Sequence, residues 1–285
     1  MPRDFLADIA RLSAERVAAA RRERDFEELW DAALDAPAPK PIAHGTFDLI
    51  AEVKTSSPSE GVLKPVAAEA AVGEAVKQAT LYQAAGAAAI SVLTEPSAFG
   101  GSLENLRAVA AAVDVPVMRK DFLVADYQIV EAREAGASGV LLIARMLSDD
   151  DLFEMIDLTR DLGMFYLVEA FHQADMNRLR RTLILRGGEF ASGDHVGELL
   201  IGVNCRDLAT LQVDPSRFEQ LRPTIPAGYA AVAESGVATP EDAARAAKLG
   251  YNLALVGSSL MKAPDPESLA TEMLHAARSA SPKRS

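Results

Sequence analysis

Cysteine, tryptophan and long apolar runs are all scarce in this sequence, and each shortage excludes something. Its 285 residues contain one cysteine, Cys205, and one tryptophan. A lone thiol rules out an internal disulfide and suits a reducing cytoplasm, so the expected localisation is cytoplasmic. No stretch of about 18 uncharged apolar residues is present, so no membrane span is expected. The first residues, MPRDFLADIARLSAERVAAARRERDF, are charged throughout and lack the apolar centre of a signal peptide. Histidine is sparse as well: His44, His172, His195 and His275 are scattered without metal-ligand spacing. Basic residues are outnumbered 41 to 29, for a net charge of −12. Such a surface repels nucleic acid and anionic membranes. It also repels a phosphorylated small molecule at long range, so any phosphate site must be built locally.

One pattern is present eight times: a short apolar, β-branched run, a polar or Gly-containing turn, then a helical stretch. The runs are FDLIAEVK (47–54), AAAISVLT (87–94), PVMRKDF (116–122), GVLLIA (139–144), MFYLVEA (164–170), ELLIGVN (198–204), YAAVAES (229–235) and LALVGSSL (253–260). Amphipathic candidates such as LENLRAVAAAV, DYQIVEAREAG, DDDLFEMIDLTRDLG and TPEDAARAAKLG lie between them. Several open on a capping residue and close on Gly, as helices do. Alternating β and α units of this length imply a parallel sheet. Eight units in a chain near the ~250 residues of a (β/α)8 barrel imply closure into a TIM barrel rather than an open sheet. No GxGxxG follows the first run, which weakens a dinucleotide-binding reading.

Residues 1–285 therefore read as a single domain, with an N-terminal helical extension and linker over 1–46 and the barrel over 47–275. The helical part, 1–35, precedes the linker APAPKP and is expected to cap the barrel or lie over its mouth. A Gly-rich polar stretch, RGGEFASGDHVGE (186–198), reads as an insertion on the side of the barrel that serves stability, so it is expected to be catalytically neutral.

Barrel active sites lie at the C-terminal ends of the strands. Glu52 and Lys54 end the first run, Lys120 and Asp121 the third, Glu169 the fifth, Asn204 and Arg206 the sixth, Glu234 and Ser235 the seventh, Gly257 and Ser258 the eighth. Strand alternation puts Glu52 and Lys54 on one side and Val53 on the other. It likewise turns Arg119 and Asp121 away from the direction of Lys120. A lone strand-end lysine is usually a solvated rim charge, and a Lys–Glu pair is usually structural. Three carboxylates and two lysines in one mouth are harder to explain that way, because burying them is costly unless they pair. Such a cluster can tune a lysine as an acid and a glutamate as a base. AESGV and VGSSL each put Ser and Gly at a strand–helix junction after strands seven and eight, where barrels often hold phosphate on helix N-terminal N–H groups. These junctions are expected to bind it without a further lysine.

The segments IAEVKTSSPSEG (50–61), ISVLTEPSAFGGSLENL (90–106), VMRKDFLVADYQIVEAREAGA (117–137), LVEAF (167–171), IGVNCRDL (201–208), VAESGVATPEDA (232–243) and LVGSSLM (255–261) resemble the indole-3-glycerol-phosphate synthase family. The resemblance runs in order from about residue 47 to 275. EVK-x-x-SPS and RKDF are specific to that family, whereas ESG and VGSSL are shared with other phosphate-binding barrels. It implies a carboxy-lyase of tryptophan biosynthesis. The enzyme acts on 1-(o-carboxyphenylamino)-1-deoxyribulose 5-phosphate, closing the ring on the C2′ carbonyl and losing CO2 and then water. By that similarity Lys120 is the general acid, Lys54 a substrate contact and candidate acid in dehydration, and Glu169 the general base. Glu52, Asn204 and Glu234 orient these groups and the ribulose hydroxyls. Phe99 and Arg206 border the substrate, and Ser57, Ser235, Gly236, Gly257 and Ser258 surround phosphate. Neither ring closure nor water loss calls for a metal or other cofactor, and the expected partner is a phosphorylated small molecule.

The chain departs from the family's usual pattern in a few places. Thr55 and Ser56 stand where a basic or small residue is more common. Ala98 replaces an aromatic beside Phe99, which would enlarge the aromatic pocket, and Cys205 stands where Asn is common and reads as a packed small apolar residue. The alternatives are a related phosphate-barrel isomerase or aldolase, which needs a Schiff-base lysine or an Asp/Cys pair, and a non-catalytic paralogue. Intact Lys54, Lys120 and Glu169 argue against the latter.

Overall fold

In the computed structural model, residues 5–63, 65, 67–185, 198–207 and 210–282 are described. Eight parallel strands close into a barrel: β1 (Asp48–Val53), β2 (Ala89–Leu93), β3 (Val117–Lys120), β4 (Gly139–Ile143), β5 (Phe165–Ala170), β6 (Leu199–Asn204), β7 (Ala230–Glu234) and β8 (Leu253–Val256). Neighbours in sequence are neighbours in space, and β1 pairs with both β2 and β8 to seal the circle. Nearly every strand residue is buried, which explains why the runs are apolar on both faces instead of alternating. Outward side chains such as Leu49, Val140, Tyr166 and Ile201 pack on the helices. Inward ones such as Ile50, Met118, Leu141, Leu167 and Leu253 fill the barrel.

The helices are α1 (Phe5–Glu23), α2 (Phe26–Asp35), α3 (Ala71–Ala84), α4 (Pro96–Phe99), α5 (Leu103–Ala112), α6 (Asp126–Glu134), α7 (Asp149–Asp161), α8 (Gln173–Leu185), α9 (Ser216–Leu221), α10 (Pro240–Lys248), α11 (Ser258–Lys262) and α12 (Pro266–Ala280). Their starts obey local chemistry. Ser148 with Asp151 and Thr239 with Asp242 form reciprocal capping boxes, and Ser102 caps α5 through Asn105 N.

The structure corrects the sequence reading in two places. The eighth strand stops at Val256, and the GSSL that follows opens α11 with Gly257 as its N-cap. The β1–α3 connection holds a small antiparallel hairpin, Ser56–Ser57 with Gly61–Val62, where only turn signals were legible. The linker leads into β1 from the N-terminal end of the barrel, away from the mouth. Lys40 N donates to Ser138 Oγ at 3.0 Å and Arg133 donates to Ala36 O at 2.9 Å, both at the N-terminal end of the barrel, and buried Ile42 packs with the barrel interior. Helix α2 carries the chain down beside α6 to that end, burying Leu29 and Ala33. The expected insertion at 186–198 lies, except for Glu198, outside the described residues.

Helix α1 does lie at the mouth. Ser13 Oγ donates to Phe122 O at 2.6 Å just past β3, and Gln128 Nε2 donates to Ser13 Oγ at 3.0 Å. Arg16 reaches Asp121 at 2.7 Å and Glu95 at 3.2 Å, both fully buried carboxylates.

Candidate functional site

Strand β1 ends in the alternation Glu52, Val53, Lys54, and the outcome is an ion pair across the alternate positions. Lys54 Nζ lies 2.7 Å from Glu52 Oε1. Packing of Gly257 against this pair leaves no space for a side chain: a Cβ there would sit 2.3 Å from Glu52 Oε1 and 3.1 Å from Lys54 Nζ.

Lys120, the last residue of β3, points into the mouth as alternation predicts, and its neighbours point away. Arg119 is held outside by Glu131 at 2.7 Å and by Gln128 O at 2.9 Å. Asp121 is fixed by Arg16, Arg119, Thr94 and its own Phe122 N–H. Lys120 Nζ lies 3.5 Å from Glu169 Oε2 of β5 and 4.0 Å from Glu234 Oε2 of β7. Burial pushes the ammonium towards neutrality, but the carboxylates of Glu169, Glu234 and Glu52 outweigh it and hold Lys120 charged above the ordinary lysine range. Glu234 shows the opposite balance. Burial and the charge of Glu169 push its carboxyl well above the usual range, against the pull of Lys120. Gly202 permits this close packing, since a Cβ there would fall 1.9 Å from Glu234 Oε1.

Asn204 ends β6, and its amide has only one sensible orientation. Its Oδ1 accepts the Arg206 backbone N–H at 2.8 Å, so its Nδ2 faces Glu169 Oε1 at 3.0 Å. Glu169 thus receives one neutral donor on Oε1, while its Oε2 and both Glu234 oxygens are buried with no hydrogen bond among the described residues. The Glu169 oxygen facing Lys120 is thus engaged by the ammonium charge and not by a neutral donor.

These groups face a cavity of about 430 Å³, within the range of small-ligand sites. All the candidate site residues border it: Glu52, Lys54, Ser57, Phe99, Lys120, Glu169, Asn204, Arg206, Glu234, Ser235, Gly236, Gly257 and Ser258; Ala98, beside Phe99, does not. One wall is aromatic. Phe122 packs on Phe5 of α1 at 5.9 Å and on Phe99 at 6.0 Å between ring centres. Glu95 shapes that wall by accepting N–H bonds from Ser97, Ala98 and Phe99 at the start of α4. Across the mouth, the β7 and β8 ends supply small residues. Ser235 and Gly236 adopt left-handed φ of 54° and 104°, a strained state for serine that recurs at binding sites.

One expectation about the β7 and β8 junctions needs correction. Helix α10 does not begin at the ESG turn; it begins at Pro240, which has no N–H, and its capping box engages the N–H groups of Thr239 and Asp242. Only the β8 junction leads straight into a helix, at Ser258. Lys262, one turn on in α11, borders the same cavity. The sequence reading also missed Phe5, Phe122, Glu60, Glu95 and Arg16. Spacing offered a signal only for Lys262, four residues after Ser258 on one helix face.

Comparison with known proteins adds kinship. Two solved structures of similar shape are a 3-hexulose-6-phosphate synthase from Salmonella typhimurium (TM-score 0.59, 14% identity, 82% of this chain and 99% of that one) and native KDPGal (0.56, 18%, 81% and 95%). At such identities they show the barrel alone. A protein named indole-3-glycerol phosphate synthase from Nocardioides sp. is 42% identical over 274 residues, covering 95% of this chain and 96% of its own. One of the same name from Mycobacterium leprae is 40% identical over 271 residues, covering 93% and 92%. The family model for indole-3-glycerol phosphate synthase matches residues 6–273. By motif, geometry and kinship, this chain belongs to the indole-3-glycerol phosphate synthase family.

Proposed function

We propose that this protein converts 1-(o-carboxyphenylamino)-1-deoxyribulose 5-phosphate to indole-3-glycerol phosphate, with Lys120 as general acid and Glu169 as general base. The observation that carries the assignment is the 3.5 Å approach of Lys120 Nζ to a Glu169 oxygen that has no hydrogen bond among the described residues. Acid and base stand side by side in a mouth with an aromatic wall for the anthranilate ring and small residues for the phosphate.

In the first step the ring carbon bearing the carboxylate bonds to the C2′ carbonyl carbon. The Lys120 ammonium polarises the carbonyl oxygen and delivers a proton to it as the C–C bond forms. Breaking the bond to the carboxylate expels CO2 and returns the electron pair to the ring. In the second step the new hydroxyl leaves C2′ as water, taking a proton from a lysine, while Glu169 removes the proton from C1′. Lys54 is tied to Glu52 at 2.7 Å, which suits it to hold substrate and to serve as a second acid once that pair opens. Asn204 orients Glu169; Glu52 and Glu234 keep the lysines charged and contact ribulose hydroxyls. Arg206 supports the rim, while Ser57, Ser235, Gly236, Gly257 and Ser258 surround the phosphate. Extension and barrel work as one domain, because α1 supplies Phe5 to the wall.

The test is the appearance of indole-3-glycerol phosphate fluorescence from the carboxyphenylamino substrate. Absence of product, or a borohydride-stable adduct on Lys120, would favour an isomerase or aldolase instead.

A further inference from the structure

One carboxylate at the mouth has no part in this chemistry. Glu60 sits at the turn of the Ser56–Val62 hairpin, and its side chain is only 23% exposed. Its Oε2 pairs with Lys262 Nζ, and its Oε1 lies 4.0 Å from Arg206 Nη2. Burial pushes its carboxyl up, but hydrogen bonds from Lys262 and Ser258 and the charges of Lys262 and Lys54 hold it below the ordinary carboxylate range. The partners come from three elements: α11, the segment after β6, and the end of β1, where Lys54 also pairs with Glu52. Ser258 and Lys262 lie at the β8 junction, where small residues leave room for an anionic group.

We propose that Glu60 is a built-in competitor for the substrate's phosphate: its carboxylate fills the anion subsite made by Ser258, Lys262 and Arg206, and the phosphate binds by displacing it. The physical balance favours exchange. A phosphate dianion brings more charge and more acceptor oxygens than a carboxylate to the same donors. The displaced Glu60 loses little, since its hairpin is at the surface and water can solvate it. A singly charged anion gains no such advantage, so Glu60 selects for dianions. Its return helps expel the phosphorylated product. The inference rests on the phosphorylated substrate proposed above, yet it can be tested without turnover.

The experiment titrates inorganic phosphate into wild type, Glu60→Gln and Glu60→Ala by calorimetry, at fixed ionic strength and a pH where phosphate is a dianion. Loss of a partly exposed competing pair should tighten phosphate binding roughly two- to fivefold in both variants. KM for the substrate should fall in the same proportion. In a Lys262→Met background the Glu60→Gln gain should shrink, because the contested cation is gone. Phosphate affinity that is unchanged or weaker in the Glu60 variants overturns the proposal and makes Glu60 a mere support for the hairpin. Failure of wild type to turn over the substrate would sink the proposed function but not the phosphate titration, so the two failures are distinguishable.

Discussion

Replacing Lys120 with methionine keeps most of the side-chain volume and deletes the ammonium. Two consequences follow from the distances. The substrate carbonyl loses its acid, which should lower kcat by ~10²–10⁴-fold, the usual contribution of a positioned proton donor. Glu169 and Glu234 also lose the cation that stands 3.5 and 4.0 Å away. Removing one member of a buried ion pair costs ~3–5 kcal/mol when the other stays charged. Here the cost is smaller, because the Glu234 carboxyl is already pushed well up and takes a proton instead. The sign of the pH dependence follows. A carboxyl raised in the folded state favours folding below its unfolded value and loses that contribution as pH rises through the folded value. The variant should therefore match wild type most closely in stability near pH 5 and fall behind as pH climbs towards 8. Steady-state fluorescence gives kcat and KM, and thermal melts across that range give the stability gap. Lys120→Arg should not rescue turnover, since guanidinium is too weak an acid and differs in shape. Turnover retained in Lys120→Met would pass the acid role to Lys54 and refute the mechanism while leaving the fold untouched.

Other consequences are open to simpler tests. Gly257→Pro removes a backbone donor and forces atoms towards Glu52 Oε1, so phosphate affinity measured by calorimetry should drop about tenfold or more; an unchanged value would contradict the anion assignment. Arg16→Met frees buried Glu95 and Asp121 from their α1 partner and should cost ~1–3 kcal/mol in a denaturant melt while raising KM more than it lowers kcat. Deleting residues 1–24 removes Phe5 from the aromatic wall but keeps α2, so KM should rise with the barrel still folded by circular dichroism. His44 bonds Glu198 at 2.9 Å, and that bond, against burial, raises its pKa above the ordinary 6.5. Its contribution is complete below that value and disappears as pH rises through the folded pKa, so His44→Gln should lower Tm more at pH 6 than at pH 8.5.

The barrel was legible because its evidence is local and repeated. Eight apolar runs recur between capped helical stretches, and no single error in a boundary disturbs the count. The errors fell where a short element follows a strand without a break. Val256–Gly257–Ser258 passes from strand to cap to helix in three residues, and an apolar run cannot mark that change. The Ser56–Val62 hairpin is too short for its pairing to leave a period. For α1 the sequence left two places open, a cap on the barrel or a cover over its mouth. What holds α1 over the mouth is Ser13, Gln128 and the Arg16 pairs, contacts between residues 79 to 115 positions apart that no local pattern encodes.

In the site, residue types and strand ends were legible but partners were not. Alternation says that Lys54 and Lys120 both enter the mouth, and on that ground alone they are equivalent acids. Distance separates them. Lys54 is engaged by Glu52 at 2.7 Å, so using its proton requires opening a close pair. Lys120 stands 3.5 and 4.0 Å from two carboxylates that have no hydrogen bond there among the described residues, so it is charged by both and committed to neither. The same holds for Asn204, whose direction is set by the Arg206 backbone N–H behind it, and through it for the Glu169 oxygen turned towards Lys120. The different surroundings of two lysines of identical chemistry are therefore a property of the closed barrel, which brings β3, β5 and β7 within one side chain's reach of each other.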